Sequence, residues 1–257
     1  YAFQAQLYLA HDDDAAALAA AEKAISLGSE SDPAVAVAYA IKAIALTEQE
    51  DFEVAQAAVD KAVALNPHLP IVYLAGSRLN FATENFEAAL TDVHVALTLQ
   101  PDLASGYGIR GAILANLGHM EQALGDVNQA IKLDPNAGGA YAHRAYLYML
   151  QEGKDQLALI DLNQAIELES AEADYYASRG YVLFQQGKYD QALADLNQAI
   201  ELGSNEAFCH EQRGDIYYWQ ENYDQALADY EKSIELEPDN LYVQAALFDI
   251  YVTQENY

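Results

Sequence analysis

Small side chains recur along this sequence at an almost constant interval, and that interval limits the possible folds more than any other property. One alanine column runs Ala17, Ala55, Ala89, Ala123, Ala158, Ala192 and Ala226, with gaps of 38, 34, 34, 35, 34 and 34 residues. A second column holds Ala24, Ala62, Ala96, Ala130, Ala165 and Ala199 and ends in Ser233. A third lies upstream at Ala5, Ala43, Ser77, Gly111, Ala145, Gly180 and Gly214. A fixed period of this size marks stacked repeats. The residues are small for a physical reason: two helices come close only where side chains are nearly absent. A bulky residue there overpacks the contact, at roughly 1–3 kcal/mol.

Each period reads as two helices. In 207–240, "AFCHEQRGDIYYWQ" is the first, "EN" the turn and "YDQALADYEKSIEL" the second. Ala226, Tyr230, Ser233 and Ile234 share one helical stripe. Ser29, Pro67, Pro101, Pro135, Ser170, Ser204 and Pro238 follow the units, and proline cannot continue a helix. Ala, Leu, Gln and Glu dominate, all good helix formers.

The 34-residue helix–turn–helix with these small, aromatic, alanine and proline columns resembles the tetratricopeptide repeat family, in a form typical of bacterial arrays. The resemblance covers essentially the whole chain and implies an all-α, right-handed α-solenoid superhelix. One array is expected over 1–257: a partial unit at 1–35, then 36–69, 70–103, 104–137, 138–172, 173–206 and 207–240. Residues 241–257 read as the first helix of an eighth. Two irregularities stand out. Four extra residues near "GSESDPAV" predict a longer interhelix loop, and one extra residue between Ala145 and Ala158 predicts a bulge or a longer turn.

In this family the first helices line a concave surface, so the resemblance implies a protein-interaction scaffold holding a partner protein or extended peptide there. Candidate partner-binding positions are Phe81, His143, Tyr146, Met149, Asp174 and Tyr181, followed by Phe184, Phe208, Glu211, Asp215, Tyr218 and Trp219. Within the last full unit they fall at i, i+3, i+7, i+10 and i+11, one helix face. Aromatic rings there suit binding because they bury large area and keep a polar handle. Two groove chemistries of the family are missing. The slots of the carboxylate clamp hold mostly Ala, Ile, Ser, Gln and acid, and the asparagine-ladder column reads Phe3, Ile41, Ala75, Ile109, His143, Ser178, Gln212, Ala246.

Twelve Lys and Arg stand against 40 Asp and Glu, a net charge of −28. Such a surface repels nucleic acid and anionic lipid and attracts basic partners. Arg110, Arg144, Arg179 and Arg213 form one column and Asp92, Asp126, Asp161, Asp195 and Asp229 another. The expectation is a repeated interhelical ion pair; the alternative is an arginine ladder for an anionic ligand.

No enzymatic constellation emerges, and no cofactor or metal is expected. The histidines lack zinc-binding spacing, and Cys209 and His210, being adjacent on a helix, point apart. "HDDD" at 11–14 lacks the Gly and Glu spacing of a calcium loop. A lone cysteine fits a reducing compartment and equally a secreted protein built without bridges; with no secretory-signal pattern in the opening residues, the expectation is the cytoplasm. Both ends cut a repeat, which suggests a piece of a longer protein, a regulatory or substrate-recruiting part of an enzyme, or self-assembly through the ends.

Overall fold

The computed structural model describes residues 1–9, 13–29, 31–204 and 207–255, with side chains up to 252. The described residues form fifteen helices and no strand. They gather into two compact units, Tyr1–Pro135 and Asn136–Tyr257. The first contains α1 (Ala2–Leu9), α2 (Asp14–Leu27), α3 (Pro33–Glu48), α4 (Phe52–Leu65), α5 (Pro70–Ala82), α6 (Phe86–Leu99), α7 (Ala104–Asn116) and α8 (Met120–Leu133). The second contains α9 (Gly138–Met149), α10 (Asp155–Leu168), α11 (Ala173–Gln185), α12 (Tyr189–Glu201), α13 (Ala207–Trp219), α14 (Tyr223–Leu236) and α15 (Leu241–Glu255). Odd-numbered helices are the first of each hairpin and even-numbered helices the second, an all-α solenoid arrangement.

The small columns lie where the helices of a hairpin meet. Ala17, Ala55, Ala89, Ala123, Ala158, Ala192 and Ala226 are all fully buried, as are Ala5, Ala43, Ser77 and Ala145 on the facing helices. A methyl group added at Gly111 would lie 2.9 Å from Val127 Cγ2, and one at Gly214 would lie 2.8 Å from the Tyr230 ring. These distances leave no room for a larger side chain. Ser77 fits because its hydroxyl donates to the Ala89 carbonyl at 2.9 Å, using the small-residue contact itself. Around these contacts the fully buried Val72, Val93 and Ile113 in the first unit and Leu147, Leu162, Leu196 and Ile216 in the second supply the apolar core. Each contributes about 1.5–3 kcal/mol by leaving water.

Five of the turns within hairpins share one geometry. Glu50, Glu84, Gly118, Gly187 and Glu221, each the middle residue of a three-residue turn, have positive φ. The next residue's N–H closes back on the helix, as Asn85 does onto the Asn80 carbonyl at 2.7 Å and Asn222 onto Tyr217 at 2.9 Å. This is a Schellman closure, for which glycine is the least strained residue. Glutamate at three of these positions accepts the left-handed cost of roughly 1 kcal/mol.

The two irregularities resolve differently. The extra residues near "GSESDPAV" do not make a long loop. Most of them extend α3 to 16 residues where α5 has 13, because Pro33 starts the helix and the Asp32 carboxylate caps the Ala34 N–H at 2.9 Å. The unit expected from 36 therefore begins its helix at Pro33. The extra residue of the fifth repeat lengthens the turn to 150–154, with Gly153 at positive φ, and α9 has 12 residues.

The arginine column pairs with the aspartate column. Arg110 holds Asp126 through Nε at 2.6 Å and Nη2 at 2.7 Å, and Arg144 and Arg179 hold Asp161 and Asp195 the same way at 2.7 Å. Arg213 grips Asp229 at 2.7 and 2.6 Å. These planar two-point bonds fix the register of the two helices. Arg179 Nη1 also donates to Asn163 at 2.7 Å and Arg213 Nη1 to Asn197 at 2.6 Å, tying each hairpin to the one before. Tyr107, Tyr141 and Tyr176, three residues upstream, place their rings 5.3–5.6 Å from the guanidiniums of Arg110, Arg144 and Arg179. The arginines are therefore structural and do not form a ligand-gripping ladder.

Asp92 breaks the series. Its column partner is Gly76, so it accepts from Asn80 Nδ2 at 2.8 Å instead, and burial raises its pKa above the ordinary aspartate value. A raised carboxylate pKa favours the protonated form in the fold, so this contribution to stability falls as pH rises through the raised value. Gly76→Arg would place a Cβ 2.8 Å from Asp92 Oδ2, so Asp92 must swing away from Asn80 to pair with the new guanidinium; urea-unfolding stability should then rise by up to about 1 kcal/mol through helix propensity and the new bond. The gain should be larger at about pH 7 than at about pH 4, where aspartate protonates. Equal gains at both would show that no pair forms.

Candidate functional site

The first helices carry the candidate residues, and each unit presents its own face. In the first unit, α3, α5 and α7 enclose an open groove of ≈ 370 Å³. Thr47, Phe81, Ile109 and Ala112 form its apolar floor, and Arg78 and Glu48 stand at its mouth. Phe81 is held in place by Phe86 of the second helix, with ring centroids 5.7 Å apart. The Thr47 hydroxyl donates to the Ala43 carbonyl at 2.8 Å, which leaves its methyl to the groove. Of these residues Phe81 is one of the expected partner-binding positions, and Arg78 and Glu48 fall on the same first-helix face in the sequence. Thr47 and Ala112 lie in the same helical register, but neither type signals binding, and no single helix shows that three of them converge.

In the second unit the candidates divide into anchored and open side chains. Tyr181 packs on Phe208 at 5.6 Å, and Phe184 on Tyr189 at 5.9 Å. Met149, Tyr181 and Phe184 all border the hydrophobic core. Tyr218 stacks edge-on against Tyr223 at 5.9 Å and donates its hydroxyl to Asp249 of α15. Asp215 is buried, accepting from the Tyr230 hydroxyl at 2.7 Å and the Tyr242 hydroxyl at 2.9 Å. Glu211 is half-buried and accepts from Asn240 Nδ2 at 2.7 Å. Burial raises the pKa of both carboxylates, and for Glu211 the neighbouring Asp215 and Glu237 add to it. These acids are therefore committed to docking α15 and its approach against α13. His143 is half-buried, and burial lowers its pKa below the ordinary histidine value.

Three candidates remain open to solvent. Tyr146 is 54% exposed, Trp219 is 68% exposed, and Asp174 is exposed at the start of α11. Leu150, next to Met149, is also 53% exposed. Trp219 stands perpendicular to Tyr218, with ring centroids 6.3 Å apart, so the exposed indole has one packed neighbour.

Among the described residues no catalytic grouping gathers around the cysteine. Cys209 is buried with Sγ 3.5 Å from Ser204 Oγ, while His210 turns Nδ1 to Asp229 Oδ1 at 2.9 Å. Among the described residues no three of His, Cys, Asp and Glu gather as metal ligands, and no helix is long and apolar enough to cross a membrane. Half of the "HDDD" stretch, His11 and Asp12, lies outside the described residues, while Asp13 caps the start of α2.

Comparison with known proteins agrees with this geometry. The family described as Tetratricopeptide repeat matches residues 104–137 and 207–240, and TPR repeat matches 180–220. No curated protein matches the sequence. Among solved structures, YrrB, titled a TPR protein with an unusual peptide-binding site, is 24% identical over 73% of this chain and 96% of its own, with a TM-score of 0.53. PilF of Pseudomonas aeruginosa is 17% identical over 83% of this chain and 97% of its own, at 0.70. The APC/C hetero-tetramer Cut9–Hcn1 gives 0.80 at 16% identity over 93% of this chain, which spans 48% of that one. At these identities the likeness shows the fold. With the repeat matches lying on the same hairpins that carry the buried columns, the chain is a tetratricopeptide-repeat protein.

Proposed function

We propose that this protein is a non-enzymatic scaffold that holds a basic, partly apolar partner protein or extended segment against the exposed face of its first helices. Tetratricopeptide-repeat folds are protein-interaction scaffolds in general; the partner's character is the proposal. The observation that carries it is the Trp219 indole, 68% exposed on that face, with Tyr146 of an earlier first helix 54% exposed. Large rings left in water on a scaffold face are the residues that dominate binding energy when covered.

The net charge of −28 supplies attraction for a basic partner. Because Glu211 and Asp215 are bonded inside the protein, that attraction comes from the field of the whole surface. Such a field speeds encounter and is screened by salt. A lone, buried Cys209 suits a reducing compartment such as the cytoplasm.

A second reading has its own observation. Phe248 of α15 occupies the position held by Gly214 and Gly180 one and two repeats earlier, and it is 70% exposed beside Leu241 at 76%. An apolar face of this kind supports self-association.

Quantitative pull-down with the full chain as bait distinguishes these. Partners captured at about 50 mM salt should be released at about 500 mM, where the Debye length is short. Tyr146→Ala with Trp219→Ala should reduce capture by at least about tenfold while helical circular dichroism stays unchanged. Capture indifferent to both salt and the double substitution contradicts the proposal. Light scattering that rises with concentration, and reverts in Phe248→Ser, would support the second reading.

A further inference from the structure

We infer that the groove between α3, α5 and α7 binds an extended peptide through one large apolar side chain, with Arg78 and Glu48 bonding the peptide's backbone. The inference rests on the reading that the first-helix face holds a partner segment, and it adds the place and the chemistry.

The floor asks for an apolar occupant. Phe81, Ile109 and Ala112 present only carbon, and the Thr47 hydroxyl is already spent on the Ala43 carbonyl. A polar group placed there would lose its water without a replacement bond, whereas a Leu, Met or Phe side chain gains by burial. At ≈ 370 Å³ the groove falls at the small end of ligand pockets, which run from about 300 to 1,000 Å³.

The mouth asks for a peptide bond. Four of the five arginines are locked to aspartates at 2.6–2.7 Å, and Arg78 is the fifth. It meets Glu48 only at 3.7 Å, and the two side chains are 43% and 51% exposed. Five N–H donors and a four-lone-pair acceptor therefore flank an apolar slot without being tightly spent on each other. A peptide unit carries one acceptor and one donor, both of which must be satisfied when it is laid on a surface. The face has no asparagine column to do this, since the corresponding positions are Ile41, Ala75 and Ile109. Arg78 donating to the peptide carbonyl and Glu48 accepting its N–H fills that gap. An acidic segment is disfavoured because Glu48 and the net charge of −28 oppose it, so the flanks carry Lys or Arg.

Fluorescence anisotropy on the full chain tests this. The probes are labelled peptides of alternating Lys and Ser with one central Leu, Met or Phe, against the same peptide with a central Ala. The apolar centres should bind at least about tenfold tighter than Ala. Ala112→Phe, which fills the slot, should abolish the preference. Arg78→Met, an exposed change that keeps the fold, should weaken all apolar-centred peptides several-fold. The Tyr146→Ala, Trp219→Ala double variant should keep the preference. Peptides that bind equally well whatever their central residue overturn the groove inference and leave the scaffold reading standing. The same follows if the preference survives both groove variants and is lost in the double variant. No binding of any peptide overturns the groove inference, and the pull-down then decides the scaffold reading separately.

Discussion

Close helix approach at the small-residue columns is the constraint on which the other features depend. Alanine, serine or glycine at Ala43, Ser77, Gly111, Ala145, Gly180 and Gly214 lets each first helix settle on the buried alanines of its partner. With that contact made, the large side chains have set places. Val127, Leu196 and Tyr230 fill the space beside the glycines, and the remaining apolar residues close around them. Packing of this kind is unforgiving of added volume, so a hairpin has one stable arrangement.

Polar ties then fix the register that apolar packing alone would leave loose. Each Arg–Asp pair joins the two helices of a hairpin at a defined height, and the Asn163–Arg179 and Asn197–Arg213 bonds carry the register to the next hairpin. Ion pairs of this partly buried kind specify geometry more than they add net stability, since desolvation offsets much of the attraction. Four of the five arginines are used in this way. Arg78 is the exception, and it stands at the mouth of the one-sided apolar groove in the first unit.

The repeat, its two helices and the buried columns were legible in the sequence because their cause is local and periodic: the same small residue answers the same crowding in every unit. The Arg–Asp pairing was legible for the same reason, since both columns keep step. The site was less so. Asp215, Tyr181 and Tyr218 fall at positions that helical spacing assigns to one face, but the groups that occupy them, Tyr230 and Tyr242, Phe208, and Asp249, come from other helices. Spacing along one helix reveals which way a side chain points and not what it meets. The extra turn of α3 was read as loop because an insertion alone does not say whether it is helical. The Asp32 cap and Pro33 at the helix start decide it.

Two glycines on one helix allow the central claim to be tested directly. On α7, a side chain at Gly111 would run into Val127 at 2.9 Å, whereas one at Gly108 would meet nothing within 4 Å. Urea unfolding of Gly111→Leu and Gly108→Leu compares crowding with helix propensity in the same segment. Gly111→Leu should lose roughly 1–3 kcal/mol or more, while Gly108→Leu should hold or gain up to about 1 kcal/mol. Equal effects at the two positions would mean that close helix approach is not what sets this fold.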